Sequence, residues 1–159
     1  MDININFNIV ELAKAEIARA AANAYSEEGS SLYDGIRVTS RDDSYLANYR
    51  DEAMAQLVLG LSGRASWSSS DNGVKLTVNL VDSVVEQDQT SCIQLLKDYL
   101  VSWVCAEWFK RNYTARYEEY HAKAMSLLEN AINLIKMRKS PSWTKVPLQP
   151  FGPLVNVKK

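Results

Sequence analysis

The chain has 159 residues, with 18 basic and 19 acidic side chains, 47% apolar residues and 23% charged residues. These values fit one globular domain that buries a core without staples, and they exclude wholesale disorder. No run approaches the roughly eighteen apolar residues of a membrane span, and the opening MDININFNIV has an acid at Asp2 and no basic stretch. Neither a membrane segment nor a secretory signal is expected.

Taken in chain order, residues 9–27 predict a first helix. Leu12, Ala13, Ile17, Ala20, Ala21 and Ala24 recur at three and four, with Asn8 as N-cap and Glu11 at the capping-box position. Gly29 ends it, and Ser30 to Arg41 reads as an exposed connection. A second helix is expected over 43–62, with Leu46, Tyr49, Ala53, Leu57 and Leu61 inward, Asp42 or Asp43 at its start and Gly63 at its end.

The period changes over residues 64–81. Asn72-Gly73 is a dipeptide that favours a type I′ turn, and Val74, Leu76, Val78 and Leu80 then alternate with Lys75, Thr77 and Asn79. A β-hairpin is predicted, with Trp67 joining its apolar face; two strands alone are marginal, so it must pack on the helices or on a neighbouring molecule.

Residues 89–112 predict the central helix, because Leu95, Leu96, Tyr99, Leu100, Trp103, Val104, Trp108 and Phe109 wrap most of its circumference. Asn112 stops it and Thr114 opens the last helix, 114–138, striped by Tyr117, Tyr120, Ala124, Leu127, Leu128, Ala131, Leu134 and Ile135. From Lys139 the chain holds all 4 prolines (Pro141, Pro147, Pro150, Pro153) and no acid. It cannot be helical and reads as an extended arm. Trp143, Val146, Leu148, Phe151, Leu154 and Val155 are more apolar anchors than a solvated tail needs. The arm is expected to dock, on its own body or on a neighbouring subunit.

The expected fold class is therefore mainly α. Residues 1–138 form a four-helix bundle-like domain with one β-hairpin, at about 64–81, inserted between helices 2 and 3, and residues 139–159 form a Pro-rich extended C-terminal arm.

Chemistry is thinly represented. Cys92 and Cys105 lie thirteen residues apart on one predicted helix, about 20 Å along its axis, beyond disulfide reach. They read as small buried hydrophobes rather than reactive thiols, in a chain suited to a reducing compartment. His121 is the single histidine, without CxxC or HxxxH spacing around it, a GxSxG elbow or a phosphate-binding glycine loop anywhere. Glu118 and His121 supply one Glu-x-x-His spacing, where a helical carboxylate metal site needs two. Adjacent acids (Glu27–Glu28, Asp42–Asp43, Asp51–Glu52, Glu118–Glu119) diverge by about 100° on a helix and do not converge on a metal. No catalytic, cofactor-binding or metal-binding residue is assigned; the chain is read as a non-enzyme.

Charge is unevenly distributed. Residues 1–88 hold 14 acids and 7 bases, whereas residues 89–159 hold 5 acids and 11 bases. That suits a polar subunit whose acidic and basic surfaces meet in repeated contacts. The sparse basic end (Lys136, Arg138, Lys139, Lys145, Lys158, Lys159) also offers phosphate contacts.

Two stretches, DDSYLANYRDEAMAQLVLGLSGR and LLKDYLVSWVCAEWFKRNYTARYEEYHAKAMSLLENAINLIKMRKSP, carry a resemblance. With a hairpin between them and an arm after them, they resemble the head–tail connector (adaptor, neck) proteins of tailed bacteriophages. The resemblance implies a virion structural protein, assembled in the host bacterial cytoplasm as a homo-oligomeric ring between portal and tail. Its neighbours would be portal and tail or neck proteins, with DNA in the ring channel, no cofactor and no membrane. Contacts would be made by the hairpin (Trp67, Asn72, Gly73) and the arm (Trp143, Leu148, Phe151, Leu154). The alternative is a small helical nucleic-acid-binding or regulatory interaction protein using the basic second half. Its long, apolar-striped helices do not read as a short recognition helix.

Overall fold

The computed structural model describes residues 1–24, 29, 33–70 and 72–140. Its elements are β1 (Asp2–Ile5), α1 (Ile9–Ala22), α2 (Tyr33–Ile36), α3 (Asp43–Gly60), β2 (Ala65–Ser70), β3 (Gly73–Val78), α4 (Thr90–Asn112) and α5 (Thr114–Lys136). Two 3-10 turns, Ser40–Asp42 and Val84–Glu86, lead into α3 and towards α4. The chain is mainly helical, with four substantial helices and one three-stranded antiparallel sheet. The four predicted helices correspond to α1, α3, α4 and α5.

The helices begin and end where local chemistry dictates. Asn8 caps α1 by accepting the Glu11 N–H at 3.2 Å, while the Glu11 carboxylate turns outward to Lys14. The helix stops at Ala22, five residues before the expected end, and the Ala24 N–H closes a tighter turn on the Ala21 carbonyl. Of the expected inner stripe, Ala13, Ile17, Ala20, Ala21 and Ala24 are buried, joined by Ile9, while Leu12 is 38% exposed. After α3, Ser62 and Gly63 take positive φ of 57° and 70°, and the Gly63 N–H bonds the Val58 carbonyl. Gly63 thus ends the helix by adopting the left-handed region that glycine enters without penalty.

The described part of the predicted connection, residues 33–41, is more structured than its composition suggests. Within it α2 buries Ile36 to 1% exposure, and the Ile36 carbonyl accepts the Trp108 indole N–H at 2.7 Å. A buried indole needs an acceptor, and this loop supplies it. Asp42, expected as a cap of α3, instead closes the preceding turn by accepting from the Thr39 N–H and hydroxyl, both at 2.8 Å. Trp103 makes the instructive contrast, because its indole N–H is buried without an acceptor. Trp108→Phe orphans the Ile36 carbonyl and should cost about 1–2 kcal/mol, whereas Trp103→Phe removes an unsatisfied donor and should be near neutral. Urea unfolding of the two variants side by side checks the difference.

The sheet contains one strand more than the composition signals. β3 is central, in the order β1-β3-β2, and pairs Ile3 with Leu76 and Ile5 with Val74 on one side, and Trp67 with Leu76 on the other. Ile3, Ile5, Leu76 and Val78 are fully buried. On the outer face the Asp2 carboxylate takes the Thr77 hydroxyl and the Lys75 ammonium, both at 2.8 Å. The N-terminal ammonium of Met1 extends the ladder by donating to the Val78 carbonyl at 2.9 Å.

α4 is the centre of the molecule, packing against α1, α3, α5 and β1. It buries Cys92, Leu96, Tyr99, Leu100, Val104, Cys105, Trp108 and Phe109. The Tyr99 hydroxyl reaches the Ala53 carbonyl of α3 at 2.8 Å. α4 and α5 are joined through Tyr113 alone and pack along their length. α5 ends at Lys136, short of the expected 138, because the backbone then extends and pairs with the loop before α4. Arg138 bridges Ser83, the Val84 N–H donates to the Met137 carbonyl at 2.9 Å, and the Lys139 N–H donates to the Asp82 carbonyl at 2.8 Å. The buried Ser83 hydroxyl fastens this junction by donating to the Ile135 carbonyl at 2.7 Å.

Candidate functional site

Two surfaces stand out among the described residues: the hairpin side of the sheet, and a groove along α4. At the hairpin, Trp67 sits mid-strand on β2, half-buried against the core beside Leu76, so its ring is committed largely to packing. Asn72 is exposed in the turn. Gly73 is not a turn residue, as the Asn72-Gly73 reading expects, but the first residue of β3, paired with Ser70. What demands glycine there is proximity: a Cβ would collide with the Ile5 carbonyl of β1. Asn4, Asn6, Asn72, Lys75 and the serines at 68–70 border a shallow depression of about 210 Å³. The anchors expected in the arm, Trp143, Leu148, Phe151 and Leu154, lie outside the described residues.

β2 is one of the two outer strands of the sheet, β1 being the other, and among the described residues no strand lies beyond it. Ser66, Ser68, Ser69 and Ser70 are exposed. An edge strand offers unpaired backbone donors and acceptors to an incoming chain.

Two cavities lie along α4 and together form the groove, the first of them where α1 and α5 pack on α4. One cavity of about 410 Å³ opens among Leu12, Ala15, Val101, Ser102, Tyr120 and Lys123, with Glu16, Arg19, Lys97 and Asp98 around it. A second, shallower and more apolar, of about 560 Å³, lies at the start of α4 against Phe7, Thr90, Ser91, Ile93 and Gln94. Lys97 stands between them: it borders the first, and its ammonium lies 5.0 Å over the Phe7 ring.

Glu16 ties α1 to α5 at this groove. It holds Arg19 at 2.5 Å and accepts the Tyr120 hydroxyl at 2.6 Å. The Arg19 guanidinium, helped by Tyr120, keeps its carboxyl below the ordinary 4.5 against the opposing effect of burial. Burial and the Glu16 carboxylate together push the Tyr120 phenol up. A carboxylate with a lowered folded-state pKa stabilises the fold above the unfolded value, and that contribution disappears as pH falls through the folded one. Glu16→Gln should therefore unfold more readily at neutral pH and lose less further stability below about pH 4.5. Urea midpoints from neutral to acid pH for both proteins check this.

The remaining polar candidates are placed structurally. Burial pushes the Cys92 thiol up to about 11 and the Cys105 thiol higher still, so neither is an accessible thiolate at neutral pH. His121 packs between the Tyr117 and Trp103 rings at 5.2 and 6.2 Å. Asp43 pairs with Lys14, Asp51 with Arg50 and Glu119 with Arg116; Glu27 and Glu28 lie outside the described residues. Among the described residues no three His, Cys, Asp or Glu side chains gather as a metal site, and no helix is long and apolar enough to cross a membrane. No family model, curated protein or solved structure matches the chain.

β1 and the α4 groove are what sequence reasoning missed. The alternation of Ile3 and Ile5 with Asp2 and Asn4 is a strand signal, though a short one. The groove had none: Leu12 belongs to α1 and Val101 to α4, and only the packing of the two helices brings them to one cavity.

Proposed function

We propose that the chain is a non-enzymatic virion structural protein, a head–tail connector (adaptor) subunit of a tailed bacteriophage, assembled in the host cytoplasm into a ring between portal and tail. The observation that supports this best is the outward edge of β2, beside a rigid helical body and ahead of a proline-marked C-terminal segment. The body acts as a wedge in the ring, while the hairpin and the segment contact neighbouring subunits, portal and tail proteins. The finer architecture fits the same role: a four-helix bundle-like domain with the hairpin between its second and third helices and an extended arm at its end. The acidic first part of the chain and the basic second part supply complementary flanks for subunit contact.

Light scattering across a concentration series, repeated with a candidate portal or neck partner, tests this reading. A ring, or a multimer that forms with the partner, is the expected result. Ser66→Lys with Ser68→Lys places charge along the β2 edge and should abolish the multimer while leaving thermal unfolding within about 0.5 kcal/mol of the parent. A monomer in both series that shifts with DNA, with steep salt dependence, would overturn the assembly reading in favour of nucleic-acid binding.

A further inference from the structure

The residues after Val146 read Pro147-Leu148-Gln149, Pro150-Phe151-Gly152, Pro153-Leu154-Val155, three successive copies of a proline–apolar–x triplet. A polyproline II helix has three residues per turn and rises about 3.1 Å per residue. In that conformation the prolines align on one edge, and Leu148, Phe151 and Leu154 align on another, about 9 Å apart. Such a segment is stiff before it binds and loses little entropy on docking, and it needs a groove with apolar sockets and aromatic walls.

The groove along α4 has that form. Its two cavities border α4, one against Ile93 and the other against Val101, positions eight helical residues or about 12 Å apart along the helix axis. That is close to one polyproline turn, within the play of Leu and Phe side chains. Phe7 and Tyr120 provide the aromatic walls, and Leu12, Ala15, Ile93 and Val101 the apolar lining. Leu12 and Phe7 are each 38% exposed, large apolar groups at the surface, Phe7 with the Lys97 ammonium over one face of its ring.

The place where the described chain ends favours this groove. The Ser83–Arg138 bridge and the Lys139-to-Asp82 hydrogen bond fix the root of the segment beside Val84–Glu86. That is the end of α4 at which the Phe7–Ile93 cavity opens. The residues from 140 to 146 span up to about 25 Å when extended, ample for the first triplet to reach it. We propose that residues 147–155 are the ligand of this groove, docked in cis on the chain's own body. The inference does not rest on ring assembly, which would only exchange the same contact between copies.

The test uses the full chain with the photo-cross-linker p-benzoylphenylalanine at position 151, irradiated at low micromolar concentration. The expected product has monomer mass, with the link on α1 or α4 residues bordering the groove. Leu12→Lys with Ile93→Lys should abolish that link and speed tryptic cleavage after Lys145 by about tenfold, with the helical melting curve retained. Leu148→Ser with Leu154→Ser alters only the segment and should give the same release, guarding against a fold defect in the groove variant. Links that fall elsewhere, links that join two chains, or cleavage unchanged in both variants would each overturn the proposal. Its failure would leave the light-scattering result untouched.

Discussion

Phe109→Ala should lower the unfolding free energy by about 3–5 kcal/mol, the range for truncating a buried aromatic to alanine. Phe109 is fully buried near the end of α4 and packs on Tyr120 at 5.1 Å and on Tyr113 at 6.0 Å. Its removal leaves a cavity at the turn where the longest helices meet. The site cannot collapse easily, because Tyr113 alone spans the connection and the Tyr120 hydroxyl is held by Glu16. Domains of this size are stable by about 5–15 kcal/mol, so the loss is a large share of the total. Urea unfolding followed by far-UV circular dichroism reads it. A loss below about 1.5 kcal/mol would mean that neighbouring rings fill the space and that the junction is more plastic than its packing implies.

Gly73→Ala is the second large effect, expected at about 2–3 kcal/mol. An alanine methyl at position 73 meets the Ile5 carbonyl oxygen, and a backbone carbonyl in a ladder cannot turn aside. β1 must shift, and with it Ile3 and Ile5, both fully buried. Hydrogen exchange gives the diagnostic readout. The Val78 amide, bonded to the Met1 carbonyl at 2.7 Å, should lose protection while α4 amides keep theirs relative to the new global stability. Gly60 is the control: an alanine there meets the Cδ1 tip of Ile132, the far end of a side chain that can rotate, so its cost should be smaller. Equal costs at the two positions would sink the argument from β1.

How much of this was legible beforehand follows from the range of the interactions. The helices were readable because their stripes are local. Leu46, Tyr49, Ala53 and Leu57 point inward as spacing dictates, and Asn8 caps as its side chain allows. The hairpin was readable from alternation in β3. Its turn was misplaced by one residue because Gly73 looks like a turn glycine, and only the neighbouring strand reveals that its missing side chain makes room for a backbone. Leu12 looked like core because it has the right spacing, but it stands at the border of the stripe, 38% exposed beside the buried Ala13. The Ile36 contact with Trp108 joins positions 72 apart, and nothing local announces it. For the candidate surfaces the position is similar. Trp67 and Asn72 could be put on the hairpin from local pattern, whereas the α4 groove exists only as a product of packing.

The pairing of β1 with β3 also dictates an order of events during synthesis. Asp2 and Thr77 are 75 positions apart, so the first strand leaves the ribosome long before its partner is made. α4 and α5, by contrast, are neighbours in sequence and share the densest packing in the molecule. Contacts between distant positions carry the larger loop-closure cost and tend to form late. The amino-terminal strand therefore closes late, as does α1, whose Glu16 meets Tyr120 across 104 positions. Until the strand does, the edge of the sheet on that side is β3, whose Val74 and Leu76 belong to the core, and a chain stalled at that stage can pair there with the wrong partner.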